Sequence, residues 1–325
     1  MRLIDNFGRK INYLRLSITD RCNMRCVYCM PANGVKKIDH EAILSYEHFL
    51  MIARAAVSLG IEKIRVTGGE PLVRQGIIPF LQQLAKTDGL KQLVLTTNGV
   101  KLAGMAQALK DAGVQRLNIS LDSLQPARFA QLTRRDFLPE VLAGIDAVEK
   151  IGLSFKLNMV VMRGRNDHEI CDFAALTKQH DCTVRFIEYM PVMKEEGWQG
   201  LVVPSAEILQ TLQNHYVLYS IDNGPLAGPA REFTIAGARG RLGVIDPLSG
   251  HFCGDCNRIR ITASGKVRTC LFSDHEFDLR PILQLNDVGK LSGQLKSLVG
   301  DKPACHNLNA PESARSAFSM AHIGG

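Results

Sequence analysis

The sequence has few of the features that mark membrane, secreted or fibrous proteins. No uninterrupted apolar stretch approaches the ~18 residues of a membrane-spanning helix. Charged residues at Arg2, Asp5, Arg9 and Lys10 stand where a signal peptide would have its apolar core. Low-complexity tracts and the phosphate-binding loop G-x4-G-K-S/T are also absent. These absences predict a cytoplasmic globular protein with no membrane partner, in which cationic side chains would have to hold any bound phosphate.

Charge is scattered along the chain. Lysine plus arginine total 39 against 32 aspartate plus glutamate, a net charge of +7, and no basic run exceeds two residues. A nucleic-acid-binding face needs its cations together, so this modest excess fits a small anionic ligand better. With 46% hydrophobic and 22% charged residues in 325, the composition is that of an ordinary globular protein. The length predicts two domains, or one barrel-sized domain with an extension.

Cysteine is the residue type in excess. Nine cysteines are many for a reducing cytosol, where structural disulfides are disfavoured and clustered cysteines indicate metal or redox chemistry. Six of them fall into two triads. Cys171 and Cys182 lie in a predicted helix and at a predicted strand start, where ordinary packing is expected. No role for Cys305 follows from its position alone.

From Tyr13 to about Met190, short apolar runs alternate with longer amphipathic ones, as in repeated βα units that build a parallel sheet. The six predicted strands are Tyr13–Thr19, Lys63–Thr67, Gln92–Thr96, Arg116–Leu121, Ser154–Val161 and Thr183–Tyr189. The predicted helices are Ser45–Leu59, Ile77–Thr87, Leu102–Ala112, Glu140–Ile151 and Asp167–Gln179. Six units predict an α/β fold with an incomplete (βα)6 TIM-like barrel, whose chemistry lies on loops at the carboxyl ends of the strands.

The βα pattern stops after Met190. Residues 222–229, DNGPLAGP, are typical of a connecting loop. The predicted organisation is therefore a barrel over residues 1–221 and a C-terminal region over residues 222–325. That region contains short strand-like pieces, such as Phe233–Ile235 and Ile259–Thr262, then the second cysteine triad and a Gly324-Gly325 end.

The first triad, Cys22, Cys26 and Cys29, has the spacing C-x3-C-x2-C in a loop directly after the first predicted strand. Three cysteines this close cannot sensibly pair among themselves, but their thiolates can hold one iron–sulfur cluster. Three protein thiolates for four irons leave one iron open, as catalytic zinc sites leave one position open. The alternatives are a zinc site lacking its fourth ligand and buried cysteines that act as small apolar residues.

The second triad has the spacing C-x2-C-x13-C and consists of Cys253, Cys256 and Cys270. A zinc ribbon normally has four ligands, so that interpretation needs His251, His275 or Cys305 as the fourth. A second iron–sulfur cluster with one open iron needs no fourth residue. Spacing alone leaves the two alternatives open.

Two arginines, Arg258 and Arg260, closely follow Cys256. Ile259 separates them, so a short strand presents both guanidinium groups on one face. Such a pair suits phosphate oxygens. A surface pair with no role is the alternative, but an adjacent cluster with an open iron favours a phosphate site.

The stretch 14–31, LRLSITDRCNMRCVYCMP, resembles the cluster-binding signature of radical S-adenosylmethionine enzymes. Gly68-Gly69-Glu70-Pro71, after the second predicted strand, resembles the segment that contacts the methionine end of the cofactor in that family. The resemblance implies that the open iron holds the amino and carboxylate groups of S-adenosylmethionine. An electron from the cluster then cleaves the sulfonium to give methionine and a 5′-deoxyadenosyl radical.

Within that family the chain resembles the GTP 3′,8-cyclases, which begin molybdenum cofactor biosynthesis. The likeness covers nearly the whole chain: the stretch 14–31, RVTGGEP at 65–71, TTNG at 96–99, NISLD at 118–122, the second triad with its arginines and the terminal glycines. It implies a second 4Fe–4S cluster whose open iron binds guanine. The radical then abstracts hydrogen from C3′ of GTP, and C3′ attacks C8 to give (8S)-3′,8-cyclo-7,8-dihydroguanosine 5′-triphosphate.

The resemblance implies a role for each matching position. The two 4Fe–4S clusters are held by Cys22, Cys26 and Cys29 and by Cys253, Cys256 and Cys270. S-adenosylmethionine is contacted by Tyr28, Gly69, Ser120 and Met190. GTP is held, mostly at its triphosphate, by Arg15, Arg65, Thr96, Lys156, Arg258, Ile259 and Arg260. Catalysis involves Arg15, Arg258, Arg260 and the tail Gly324 and Gly325, which reaches into the active site and covers the barrel mouth.

The resemblance also implies partners: GTP, an electron donor of flavodoxin or ferredoxin type, and the downstream cyclic pyranopterin monophosphate synthase, for a monomer or homodimer. One alternative function is peptide modification by a radical S-adenosylmethionine enzyme with an auxiliary cluster, but such enzymes typically carry more C-terminal cysteines. Another is a zinc-ribbon nucleic-acid-binding protein, which the scattered charge disfavours. For single positions, strand arginines paired with carboxylates and a core Met190 are the structural alternatives.

Overall fold

The computed structural model describes residues 2–192, 196–222, 224, 226, 228–250, 252–273, 275–306 and 320–324. The strands in this part of the chain are β1 Tyr13–Ser17, β2 Lys63–Thr67, β3 Gln92–Thr97, β4 Arg116–Ser120, β5 Phe155–Val161, β6 Thr183–Glu188, β7 Leu218–Ile221, β8 Arg231–Ile235, β9 Arg241–Ile245, β10 Arg258–Ile261, β11 Lys266–Arg268 and β12 Phe277–Asp278. The α-helices are α1 Tyr46–Ser58, α2 Ile77–Ala85, α3 Ala106–Asp111, α4 Pro126–Thr133, α5 Leu138–Lys150, α6 Ile170–Gln179, α7 Ser205–Gln213, α8 Arg280–Leu283, α9 Val288–Gly300 and α10 Met320–Ile323. Short 3-10 helices are His40–Ala42, Pro71–Val73, Asp167–Glu169, Trp198–Leu201 and Phe252–Asp255.

These strands form one sheet in the order β12-β11-β10-β1-β2-β3-β4-β5-β6-β9-β8-β7. β1 to β6 lie side by side in sequence order and are parallel, as successive βα units require. β9 joins β6 and β10 joins β1, both in parallel, so the parallel part of the sheet runs from β10 to β9. Antiparallel strands extend both edges.

The parallel strands are covered on both faces. Every residue of β1 and β2 is buried, and successive side chains point to opposite faces. Leu14 and Leu16 belong to the main apolar core together with helix residues such as Phe49 of α1. Arg15, between them, lines a cavity on the other face. Each of these strands therefore packs against the apolar core with one face and lines the cavity with the other.

Helix ends follow local signals. The hydroxyl of Ser45 accepts a hydrogen bond from the His48 N–H at 3.3 Å and so caps the start of α1. Glycines after four helices, Gly60, Gly89, Gly113 and Gly152, all have positive φ, the left-handed conformation that commonly ends a helix. None of the described helices is both long and apolar enough to cross a bilayer.

The six predicted barrel strands are confirmed, each within two residues of its expected ends. Two differences concern helices: α4, α7, α8, α9 and α10 were not predicted, and α3 begins at Ala106 instead of Leu102 because residues 100–105 form turns and bends. A third difference concerns the predicted domain boundary after residue 221. It falls between β7 and β8, two strands that pair in one antiparallel hairpin. The C-terminal region thus continues the barrel sheet at both edges. The sequence did not predict this continuation, because strand pairing over long sequence distances leaves no trace in local composition.

Candidate functional site

One cavity lies at the carboxyl ends of the parallel strands. β1 to β6, the loops after them and the segments around β9 and β10 all contribute to its wall, so the sheet curves around it. Both cysteine triads line this cavity: Cys22, Cys26, Cys29, Cys253, Cys256 and Cys270. All nine cysteines lie in the described part of the chain, and none forms a disulfide.

The first triad lies in the loop after β1, and N–H groups point at its sulfur atoms. The Met24 backbone N–H is 3.4 Å and the Asn98 side-chain amide 3.8 Å from the Cys22 sulfur. The backbone N–H of Ala321, near the end of the chain, donates to Cys29. N–H groups on cysteine sulfur are typical of iron–sulfur sites, whose potentials they tune.

Burial raises the pKa of all three thiols of this triad: that of Cys22, that of Cys26 to well above its ordinary value, and that of Cys29 to about 12. For Cys26 the charges of Asp122 and of the other two cysteines add to the effect of burial, so these groups are close together. Thiols that resist ionisation in this way become ligands when a bound cation displaces their protons.

Two buried carboxyl groups stand beside the first triad. Asp122 accepts hydrogen bonds from the Tyr28 hydroxyl at 2.7 Å and the Val160 N–H at 2.9 Å. Burial raises the pKa of Asp122 to about 6 and that of Glu70 to about 7. This acidic end of the cavity favours a cationic ligand. Glu70 accepts hydrogen bonds from the N–H groups of Leu72 and Asn98 and the hydroxyl of Thr97.

Gly68 and Gly69 pack directly on the loop that carries the first triad. A Cβ on Gly69 would lie 2.4 Å from the Arg21 carbonyl oxygen, and one on Gly68 would lie 2.5 Å from that of Thr19. The Glu70 N–H also donates to the Arg21 carbonyl at 2.8 Å. Only glycine permits such close backbone approach. The GGEP segment therefore fixes the cysteine loop in addition to lining the cavity.

The second triad has cationic neighbours. The Arg258 guanidinium is 3.7 Å from the Cys256 sulfur, and the Lys302 ammonium also donates to that sulfur. Burial acts to raise the pKa of Cys256, but the charges of Arg258 and Lys302 outweigh it and lower this pKa to about 6. Burial raises the pKa of Cys253. Cys256 thus lies in electrostatic surroundings opposite to those of the first triad.

A mononuclear zinc site does not fit either triad. Among the residues that the structure describes, no three His, Cys, Asp or Glu side chains converge closely enough to hold one metal ion. Of the candidate fourth ligands, His275 and Cys305 are exposed, and His251 lies outside the described residues. A cluster is wider than an ion and needs its thiolates farther apart, so the donor set fits a cluster better.

Beyond the triads, cations converge on the fully buried ring of Tyr13. The Arg15 and Arg65 guanidinium carbons are 5.7 and 5.4 Å from the ring centroid, and the Lys63 nitrogen is 4.7 Å from it. Cation–π attraction offsets part of the repulsion among these groups. Burial, with the nearby guanidinium charges, lowers the pKa of Lys63 to about 6.

Several polar atoms in this cationic part of the cavity have no hydrogen-bond partner within the described residues. They are the Nε atoms of Arg15, Arg65 and Arg185 and the hydroxyl of Thr96. Buried polar groups in native proteins are almost always paired. An anionic ligand with several oxygen atoms would pair these donors.

Residues 320–324, the described part of the tail, lie inside the curved sheet. The Arg260 guanidinium donates to the Gly324 carbonyl at 3.1 Å, and the Ser17 hydroxyl donates to that of His322 at 3.2 Å. Gly324 has φ +77°, and a Cβ there would lie 2.4 Å from the Thr67 side chain. The tail therefore fits only as glycine at this position.

Most residues to which the resemblance gave a cofactor or substrate role line the cavity: Arg15, Tyr28, Arg65, Gly69, Thr96, Ser120, Met190, Arg258 and Arg260. Lys156 and Ile259 are not among its described lining residues. Lys156 faces a second, polar cavity at the amino ends of β4 to β6, where its ammonium pairs with Glu232 at 2.7 Å. Ile259 packs in the apolar core. Gly325 lies outside the described residues.

Two cations of the cavity wall, Lys63 and Arg185, were not predicted. Lys63 precedes Arg65 by two residues on β2, so strand alternation places both side chains on one face. This spacing could have predicted that Lys63 lines the cavity with Arg65. Arg185 lies 3.5 Å from Glu232, which also pairs with Lys156. Glu232 thus connects the main cavity to Lys156.

The remaining cysteines have ordinary surroundings. Cys182 is buried in the main apolar core at the start of β6, which confirms the expected packing. Cys171, on α6, is half-buried with its sulfur 3.5 Å from His215 Nδ1.

Two family models match the chain: the radical SAM superfamily over residues 16–177 and Molybdenum Cofactor Synthesis C over residues 182–308. The chain is 58% identical over 326 residues to the GTP 3′,8-cyclase of Geobacter sulfurreducens, with 100% of both chains covered. It is 44% identical over 323 residues to the GTP 3′,8-cyclase of Moorella thermoacetica, with 99% of each covered.

Solved structures share the fold at low sequence identity. Streptococcus suis SuiB bound to S-adenosylmethionine matches with a TM-score of 0.63 at 13% identity, over 90% of this chain and 69% of SuiB. The structure of anSMEcpe with bound AdoMet matches with a TM-score of 0.50 at 19% identity, over 63% and 59% of the two chains. These likenesses show an α/β radical SAM fold.

Proposed function

The chain belongs to the family of GTP 3′,8-cyclases, and on that basis we propose that its cavity holds S-adenosylmethionine at the acidic end and GTP at the cationic end. The chain is a radical S-adenosylmethionine enzyme of the first step of molybdenum cofactor biosynthesis. In the proposed reaction a 5′-deoxyadenosyl radical abstracts the C3′ hydrogen of GTP. C3′ then bonds to C8 of guanine, and the cyclised radical takes up one electron and one proton, which gives (8S)-3′,8-cyclo-7,8-dihydroguanosine 5′-triphosphate.

The observation that carries the proposal is that two cysteine triads and a group of cations line one cavity. A triphosphate requires several positive charges, and in the absence of a phosphate-binding loop they must come from side chains. The cavity offers the side chains of Arg15, Lys63, Arg65, Arg185, Arg258 and Arg260.

At the acidic end, the first triad fits a 4Fe–4S cluster, which together with S-adenosylmethionine supplies the radical. The chain's own residues bind and orient the cofactor. Asp122 fixes the Tyr28 hydroxyl, and the buried carboxyl groups of Asp122 and Glu70 favour a sulfonium. Gly69 and Ser120 line the same part of the cavity.

At the cationic end, the proposal places a second 4Fe–4S cluster on Cys253, Cys256 and Cys270, with one iron open for guanine. Arg258 and Arg260 then hold phosphate oxygens beside it. The tail that carries Gly324 closes the space between the two ends of the cavity and excludes water from the radical.

The proposal includes a cytoplasmic location and an electron donor of flavodoxin or ferredoxin type. The product would pass to cyclic pyranopterin monophosphate synthase, and the enzyme would act as a monomer or homodimer. The reductant is the partner that the chemistry requires, because cleavage of the sulfonium and reduction of the cyclised radical each consume one electron.

Anaerobic incubation of the iron-loaded protein with GTP, S-adenosylmethionine and dithionite tests the function. We expect 5′-deoxyadenosine and a cyclised guanosine triphosphate in similar amounts, with ATP in place of GTP as the control. Formation of 5′-deoxyadenosine without cyclised product would contradict the assignment of substrate. A colourless zinc protein would contradict the cluster assignment.

A further inference from the structure

Lys302 is a nearly fully buried lysine beside the second cysteine triad. Its exposed fraction is 2%. Its ammonium donates to the carbonyl oxygens of Arg258 at 3.1 Å and Thr269 at 2.5 Å, and also to the sulfur of Cys256. An ammonium has three donors, so each of them has an acceptor at this one corner of the fold.

The three acceptors belong to the two segments that carry the triad. Arg258 begins β10 two residues after Cys256, and Thr269 directly precedes Cys270. One ammonium group thus ties together two segments whose relative position determines where the cysteine sulfurs lie. Its positive charge also acts on both thiols, since the charges of Cys256 and Cys270 oppose the lowering of the Lys302 pKa by burial.

The segment that carries Lys302 is held from its other side by Arg9. The Arg9 guanidinium is paired with Asp5 at 2.6 Å. Burial of the Lys302 ammonium is costly unless the group is paired. Its fixed position beside Cys256 therefore indicates that negative charge at the triad compensates the charge of Lys302. Arg9 donates, at 2.7 to 2.9 Å, to the carbonyl oxygens of Cys253, Pro303 and Ala304.

We propose that Lys302 is a positioning residue for the second iron–sulfur cluster and that its charge raises the reduction potential of that cluster. A nearby positive charge stabilises the reduced cluster, which is the more negative form. The first triad has the carboxyl groups of Asp122 and Glu70 as neighbours instead, so the two clusters differ in how easily they are reduced. This inference rests on the proposed function, which places a cluster on the second triad.

The test compares Lys302→Met, which keeps the aliphatic chain without the charge, with Lys296→Met on the exposed face of α9. Both proteins are loaded with iron and sulfide, and each cluster is titrated by electron paramagnetic resonance at controlled potential. A Cys26→Ser background, which removes the first cluster, assigns the second signal. At the parent's midpoint we expect the reduced-to-oxidised ratio of the second cluster to fall about tenfold in Lys302→Met, or about 59 mV for one electron. Lys296→Met keeps the parent ratio.

Lys302→Arg keeps the charge and is expected to stay within about threefold of the parent ratio, and Lys302→Gln serves as a second neutral variant. Loss of one cluster's iron in the neutral variants, with retention in Lys302→Arg, would support the positioning role. An unchanged potential at full iron content in both neutral variants would overturn the inference. A parent chain that binds about four irons, where two 4Fe–4S clusters require eight, would instead refute the second cluster itself.

Discussion

The guanidinium of Arg260 donates a hydrogen bond to the carbonyl oxygen of Gly324 at 3.1 Å. This bond joins a cation of the substrate cavity to the last described residue of the chain. One turn earlier, the N–H of Ala321 donates to Cys29 of the first triad. The tail therefore contacts both the acidic and the cationic end of the cavity, and we expect it to affect cyclisation rather than folding.

The tail is tested by Gly324→Ala. The added Cβ would meet the Thr67 side chain at 2.4 Å and is strained at φ +77°, so the tail must withdraw. We expect at least a tenfold loss of cyclised GTP per 5′-deoxyadenosine, measured by mass spectrometry, with little change in the melting temperature. Deletion of Gly324 and Gly325 is expected to act in the same way. Gly8→Ala is the matched control, because Gly8 has φ +79° with nothing within 4 Å of its Cβ position.

Removal of the cations beside the second triad separates substrate binding from cofactor cleavage. If Arg258 and Arg260 hold phosphate as proposed, Arg258→Ala and Arg260→Ala each remove a charge-assisted contact worth about 1.5–3 kcal/mol. Equilibrium binding is expected to show GTP affinity lower by about ten- to a hundredfold, with cleavage of S-adenosylmethionine largely intact. Arg239→Ala, at an exposed position, is the control. Equal loss of both properties would refute this division of roles.

The first triad is tested by Cys26→Ser. A serine oxygen is a poor ligand for iron in place of a thiolate, so the variant is expected to lose about half of the bound iron and all cleavage of S-adenosylmethionine. Iron analysis and 5′-deoxyadenosine formation measure the two effects. Cys171→Ser, outside both triads, should match the parent. Full cleavage activity in Cys26→Ser would contradict the proposed ligand set.

GTP binding is expected to take up protons. The pKa of Lys63 is lowered to about 6 by burial and neighbouring cations, so this amine is largely neutral at pH 7.5 in the free enzyme. A triphosphate nearby raises this pKa, so the complex holds a proton that the free enzyme lacks, and affinity rises as pH falls from 8 toward 7. Calorimetry in buffers of different ionisation enthalpy measures the uptake.

Lys63→Met should remove most of this uptake, while Lys86→Met, at an exposed position, should retain it. GTP binding without any proton uptake in the parent would show that Lys63 does not meet the triphosphate.

Local sequence patterns were sufficient to predict the strands β1 to β6 and to recognise both cysteine triads. The run at 13–17 carries apolar residues and the run at 63–67 β-branched ones, which suit doubly covered strands, and C-x3-C-x2-C needs no distant partner to be recognised. Gly69 was assigned to the cofactor by its motif alone. Its second role, close packing on the Arg21 carbonyl, depends on a tertiary contact that the motif does not contain.

Features that depend on distant segments were not predicted. The pairing of β10 with β1 and of β9 with β6 has no local signature. Lys302 lies far beyond Cys270 in sequence, and an isolated lysine gives no signal of burial. Lys156 was expected to hold GTP, but its position depends on Glu232 of β8, which composition alone does not place opposite it.

The parallel pairing of β1 with β10 also bears on how the chain folds during synthesis. Tyr13 of β1 lies opposite Arg258 of β10. The outer edge of β1 therefore stays unpaired until most of the polypeptide has left the ribosome and β10 can pair with it. Until then an unpaired strand edge is exposed to other chains, and closure of so long a loop is slow. We expect nascent chains that stop before β10 to aggregate and to depend on chaperones.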